Sequence, residues 1–180
     1  MTADERTYER AFNYASQKHA GQMRKDGAPY IMHPVAVADI VKEWGYGIDY
    51  QVTALFHDLL EDTDAEESVI AEIGGDAVLK AVKLLTKKKG YVMSKYVAGI
   101  KNDPIAYKVK AADRLHNLQC AVNTDDEFKR KYIYETLDWY MDFAPEIPAQ
   151  VKELARSMET TLDDIGFDYE SGTEWKKDKE

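Results

Sequence analysis

The chain has little of what marks several protein classes. Cys120 is its one cysteine among 180 residues. A single thiol can neither close an internal disulfide nor build a thiolate metal cluster, which excludes the disulfide scaffolds of small secreted proteins and the cysteine-rich zinc folds. Cys120 stands among apolar residues and is expected as a buried filler. No run approaches the roughly 20 apolar residues of a membrane span. The opening MTADERTYER is charged and lacks the apolar stretch of a signal peptide. A cytoplasmic protein without a membrane partner is the expectation. Alternating β-branched runs and Asn-Gly turns are absent too, so the pattern is helical throughout. There are no internal repeats and no low-complexity stretch.

Hydrophobic residues make up 44% of the chain and charged ones 32%, enough for a buried core under a soluble surface. The net charge is −9. A chain this acidic repels a phosphate backbone, so no nucleic-acid partner is expected. The charge is uneven. Residues 80–114 carry ten basic side chains against Asp103 and Asp113, a net +8 that leaves −17 on the rest. Such a band suits a compact polyanion, and it equally suits a solvated helix face.

The length fits one domain, expected over 1–165 with a polar tail at 166–180. About nine helices are expected, an all-α fold. The first spans roughly 4–20 and the second, opened by Pro34, roughly 33–44. Asp49 is expected to cap a third helix carrying Val52, Leu55, Phe56, Leu59 and Leu60. Thr63 and Glu66 have capping-box spacing for a fourth. Gly74 and Gly75 separate it from a fifth ending near Thr86, and a lysine-rich turn leads into a sixth. Asp103-Pro104 opens a helix to about Val122, Asp125 opens one to Phe143, and a last helix ends near Ile165.

The chemistry gathers around the phrase ALFHDLLEDT. On a helix, residues three and four apart share a face, so His57, Asp58, Glu61 and Asp62 would present one imidazole and three carboxylates over a limited arc. Carboxylates beside core residues are costly unless a positive charge neutralises them, and a divalent cation does so most simply. His33, at a helix start, and Asp113, inside an apolar helix, are the candidates for further ligands. Two histidines and two aspartates suit Mn²⁺, Fe²⁺ or Zn²⁺ better than Ca²⁺, and the lack of thiolate does not favour a structural zinc. An exposed acidic helix end would look similar. Asn117, four residues beyond Asp113, points to the same side and is either a phosphate contact or a surface amide. Arg24 and Lys25 are adjacent loop cations, of a kind more often plain surface charge. His19 reads as structural; His116, three residues beyond Asp113 and off its face, fits either role, with the structural one favoured.

These residues fall into a known series. His33, His57-Asp58 and Asp113 resemble the ligand set of the HD superfamily of metal phosphohydrolases. The phrases HAGQMRKDGAPYIMHPVAVADI, TALFHDLLEDT, LLTK and KAADRLHNL, with YETLDWY further on, resemble in order and spacing the hydrolase domain of the RelA/SpoT homologue family, over roughly residues 8–145. The resemblance implies a single HD-domain helical bundle in which His33, His57, Asp58 and Asp113 hold one Mn²⁺. It implies Glu61 and Asp62 as the catalytic pair, and Arg24, Lys25 and Asn117 as contacts to a nucleotide substrate. The implied reaction removes the 3′-pyrophosphate of (p)ppGpp, as in a stand-alone small alarmone hydrolase. A different HD phosphohydrolase, acting on another nucleotide or a phosphorylated dinucleotide cofactor, would share every metal residue. One departure is Asp26, where many long family members have a small hydroxyl residue.

Overall fold

A computed structural model describes residues 1–158. The expected end of the last helix near Ile165 and the tail from Gly166 lie outside the described residues. Ten helical segments follow one another: α1 Ala3–Lys18, α2 Met32–Glu43, α3 Ile48–Phe56, α4 Leu59–Asp62, α5 Glu67–Gly74, α6 Asp76–Leu85, α7 Met93–Lys101, α8 Pro104–Ala121, α9 Asp126–Trp139 and α10 Ile147–Arg156. The all-α class holds. The count exceeds nine because the helix expected through ALFHDLLEDT is broken at His57 and Asp58, giving α3 and α4.

The chain forms two compact units, Met1–Asp113 and the portion from Arg114 onward. In the first, α3 is the central element. Its residues Val52 to Phe56 are all buried, and it packs against α1, α2, α5 and α6. The reason lies in its composition: VTALF has no charge to keep wet, so every face can be covered. The helices around it are one-sided. In α6 the buried residues are Val78, Ala81, Val82 and Leu85, spaced three and four apart, and the lysines fall between them. Between α5 and α6 the packing is close enough to require glycine. A Cβ on Gly74 would stand 2.7 Å from Val78 Cγ1 and 3.2 Å from Val52 Cγ1, and Gly75 follows with φ of +84°.

Helix starts show which caps the local sequence decides. Asp103 opens α8 as expected, its Oδ1 accepting from the amides of Ile105 and Ala106. Asp125 caps α9 through the Phe128 amide. Two expected caps are displaced. Gly47, not Asp49, is the cap of α3, and Asp49 lies in its first turn, where a negative charge still meets the exposed amides favourably. Thr63 forms no capping box. Its hydroxyl donates back to the Leu59 carbonyl and accepts from Ala65 N–H, so the chain turns before α5 begins at Glu67.

The second unit is built on α9 and α10, which pack together. Its buried apolar residues include Leu118, Ile133, Phe143, Val151 and Leu154. Arg114 is buried here. It pairs with Glu135 at 2.6 Å and lies over the rings of Tyr132 and Tyr140, an Arg-specific arrangement of stacking and ion pairing. Cys120 is half-buried rather than buried, with its Sγ 3.5 Å from Nε2 of His116, one helical turn back.

Candidate metal centre

The break between α3 and α4 shapes the site. His57 keeps helical angles, but its Nδ1 donates to the Ala54 carbonyl at 2.6 Å. That bond fixes the tautomer and leaves Nε2 as the outward nitrogen. Asp58 follows with φ −105° and ψ −2°, the sparsely populated bridge region where many site residues sit. The chain then resumes as the single turn of α4.

Four side chains from three places in the sequence converge. Nε2 of His33, at the start of α2, is 2.9 Å from Oδ1 of Asp113 on α8. Nε2 of His57 is 3.5 Å from that same oxygen and 2.9 Å from Oδ2 of Asp58. His33, His57 and Asp58 each offer a ligand atom within 4.8 Å of the others, and Asp113 touches the two histidines of that group. His33, His57 and Asp113 are at most 5% exposed. The expected ligand residues are therefore brought together. Nε2 of His57 is buried without a hydrogen-bond partner, although Asp58 is within ion-pair distance. Two buried imidazole nitrogens gathered with two carboxylates make a pocket that a cation would neutralise.

The electrostatics agree. Burial disfavours charge on His57, but Asp58 and Asp113 outweigh it and lift its pKa well above the usual histidine range. His33 goes the other way, because burial dominates and keeps its ring neutral. Burial alone would raise both aspartates. The field of His57 nonetheless holds Asp58 down to about 2, and Lys110 with the two histidines holds Asp113 well below its normal value. The carboxylates are thus ionised and hold positive charge between them.

Residues not singled out in the sequence support these ligands. The Tyr30 hydroxyl donates to Oδ2 of Asp58. Lys110 Nζ lies 2.9 Å from Oδ2 of Asp113. The only signal in the sequence was spacing: Lys110 is three residues before Asp113 and Tyr30 three before His33. His19 is buried, as its structural reading requires, with Nδ1 2.8 Å from Gln22 Oε1 and its ring 4.7 Å from that of Tyr30.

Glu61 and Asp62 are exposed on α4. Glu61 Oε1 accepts the Lys87 amide at 2.5 Å, which ties α4 to the lysine-rich turn. Asp62 is raised to about 6 by partial desolvation and by Asp58 and Glu61 beside it.

Arg24 and Lys25 sit in a tight loop. Arg24 N donates to Ala28 O at 2.8 Å, Gly27 N to Arg24 O at 2.9 Å, and Tyr30 N to Gln22 O at 2.9 Å. Gly27 has φ of +85°, which favours glycine. Asp26 turns its carboxylate into this loop, where Oδ1 accepts from Ala28 N–H at 3.0 Å. A serine or threonine hydroxyl can make the same turn, which accounts for the departure at this position. The loop's stem is held at both ends, by Gln22 Nε2 on the Asp62 carbonyl at 3.1 Å and by Tyr30 on Asp58. Asn117 falls in the second unit. The basic band is not one free face: Lys80 pairs with Asp103, Lys83 with Glu67, Lys110 with Asp113 and Arg114 with Glu135.

The family described as HD domain matches residues 11–147. A guanosine-3′,5′-bis(diphosphate) 3′-pyrophosphohydrolase of Aquifex aeolicus is 32% identical over 94% of this chain. A probable GTP pyrophosphokinase of Mycobacterium leprae is 37% identical over 72% of it, and the bifunctional (p)ppGpp synthase/hydrolase RelA of Mycobacterium tuberculosis 35% over 76%. The matched segments are 25%, 18% and 20% of those proteins, so the chain spans a quarter or less of their length. A solved structure described as a metazoan orthologue of SpoT that hydrolyses ppGpp superposes with a TM-score of 0.68. It covers 88% of this chain and 97% of its own at 22% identity, a likeness of fold. No helix among the described residues is long and apolar enough to cross a membrane. The resemblance to the RelA/SpoT homologues stands, and the chain belongs to the HD-domain family.

Proposed function

We propose that this protein hydrolyses the 3′-pyrophosphate of (p)ppGpp with one Mn²⁺ held by His33, His57, Asp58 and Asp113, within an HD domain reaching to about residue 165. The observation that carries this is the convergence of Nε2 of His33 and of His57 with the carboxylates of Asp58 and Asp113. The similarity to proteins named for ppGpp chemistry supports the substrate. A divalent ion bound here supplies a Lewis acid that polarises phosphoryl oxygen and acidifies water.

The side chains supply the rest. Water attacks the phosphorus bonded to O3′, the P–O3′ bond breaks, and the nucleotide O3′ leaves with a proton. ppGpp plus water thus becomes GDP plus pyrophosphate, and pppGpp becomes GTP plus pyrophosphate. Glu61 and Asp62 orient the water and take its proton, roles their exposure on α4 permits. Asp62, raised to about 6, is the better matched base near neutral pH. Glu61 is steadied by the Lys87 amide. Arg24 and Lys25 offset phosphate charge.

The test is turnover. Metal-stripped protein is given Mn²⁺ with ppGpp, GMP, dGMP or a 2′-phosphorylated dinucleotide, and products are separated by ion exchange. GDP and pyrophosphate from ppGpp support the reading; phosphate released from another compound while ppGpp stays intact overturns the substrate.

A further inference from the structure

Tyr30 touches both halves of the candidate centre. Its hydroxyl donates to Oδ2 of Asp58. Its carbonyl accepts the His33 amide at 3.0 Å, and the edge of its ring meets the His33 ring at 6.0 Å. On the other side it is backed by the His19 ring. Its own amide closes the stem of the loop that carries Arg24 and Lys25, bonding Gln22 O at 2.9 Å. One residue therefore fixes a histidine, an aspartate and the end of a cationic loop.

A carboxylate ligand can turn about its Cβ–Cγ bond, and the oxygen not engaged elsewhere decides the angle at which it meets a cation. A hydrogen bond to one oxygen removes that freedom. Such outer partners commonly change metal affinity by about 10- to 100-fold when lost. Asp113 has its own anchor in Lys110, which leaves Tyr30 as the matching anchor of Asp58.

We propose that Tyr30 is a positioning residue which holds Asp58 in the orientation that binds the divalent cation and joins the Arg24–Lys25 loop to the metal centre. This rests on the metal-dependent reading above. Tyr30 acts through Asp58 and the loop, and transfers no proton to substrate.

The experiment compares the full chain with Tyr30→Phe, which keeps the ring and removes only the hydroxyl. Metal-stripped protein is titrated with Mn²⁺ alone, and free Mn²⁺ is followed by electron paramagnetic resonance. Tyr30→Phe is expected to bind Mn²⁺ about 10- to 100-fold more weakly, with the thermal midpoint of the metal-free protein little changed. Raising Mn²⁺ should return most of its turnover, a rescue that a merely structural defect would not show. Asp58→Asn provides a second route. In that background Tyr30→Phe should add no further loss of affinity, because the carboxylate it orients is gone. Equal Mn²⁺ affinity in Tyr30→Phe and wild type, or additive losses in the double variant, overturn the proposal. Failure of the wild type itself to take up Mn²⁺ removes the metal reading, and this proposal falls with it.

Discussion

Oδ1 of Asp113 is shared between two imidazoles, 2.9 Å from Nε2 of His33 and 3.5 Å from Nε2 of His57. His33 and Asp113 are 80 residues apart in the chain. A neutral histidine, a histidine biased towards its charged form and two ionised aspartates packed together make a site that favours positive charge.

Metal should stabilise the protein by mass action. At Mn²⁺ one hundred times the dissociation constant the gain is about 2.7 kcal/mol. Thermal melts with and without Mn²⁺ measure it. Chelator should reverse the shift, and Asp58→Ala should show none.

Replacing Glu61 by Gln keeps the size of the side chain but removes its charge. The four metal residues are untouched, so Mn²⁺ uptake should persist while turnover falls by roughly 10²- to 10⁴-fold, the span of a lost general base or water-orienting group. Binding isotherms and single-turnover rates on the same preparation separate the two effects. Full activity would remove Glu61 from the mechanism.

Asp62 gives the pH dependence. Its folded pKa of about 6 lies above its normal 3.8. As a base it must be ionised, so turnover should fall as pH drops through this region, and a bound cation moves the limb to lower pH. The stability effect has a definite sign. With the folded pKa raised, ionised Asp62 disfavours the folded state above about pH 6 and has no such effect below 3.8. Asp62→Asn should therefore raise the melting temperature of metal-free protein at pH 7.5 and leave it nearly unchanged near pH 3.5.

Arg24 is assigned to phosphate, away from the reacting bond. Losing one charge-assisted hydrogen bond costs about 1.5–3 kcal/mol, or roughly 10- to 100-fold. Arg24→Ala should show this mainly in KM, with a smaller change in kcat. Steady-state kinetics on ppGpp measure it, and a pure kcat defect would place Arg24 on the transition state instead.

Much of this was legible in the sequence because apolar spacing and misplaced charge are strong signals. Val78, Ala81, Val82 and Leu85 mark α6 by themselves, and Asp113 is conspicuous as an acid among the core positions Val109, Ala112 and Leu115 of its helix. What escaped depended on tertiary context. The helix through His57 breaks because the imidazole takes the Ala54 carbonyl and Asp58 leaves regular helical geometry, which no local pattern announces. Asp49 and Gly47 are both acceptable caps, so the choice fell to the packing of α3. Tyr30, beside proline and isoleucine, looks like core until its hydroxyl is seen on Asp58. Lys110 looked like one more member of a basic band, several of whose charges are in fact spent on single acidic partners.

The most direct measurement is the hydrolysis of ppGpp by metal-stripped protein with and without added Mn²⁺, followed by ion-exchange separation of the products, with Asp113→Ala alongside. The expected result is GDP and pyrophosphate in equal amounts, only with Mn²⁺ and only from the wild type. Mn²⁺-independent turnover, turnover by Asp113→Ala equal to wild type, or intact ppGpp under saturating metal would contradict it.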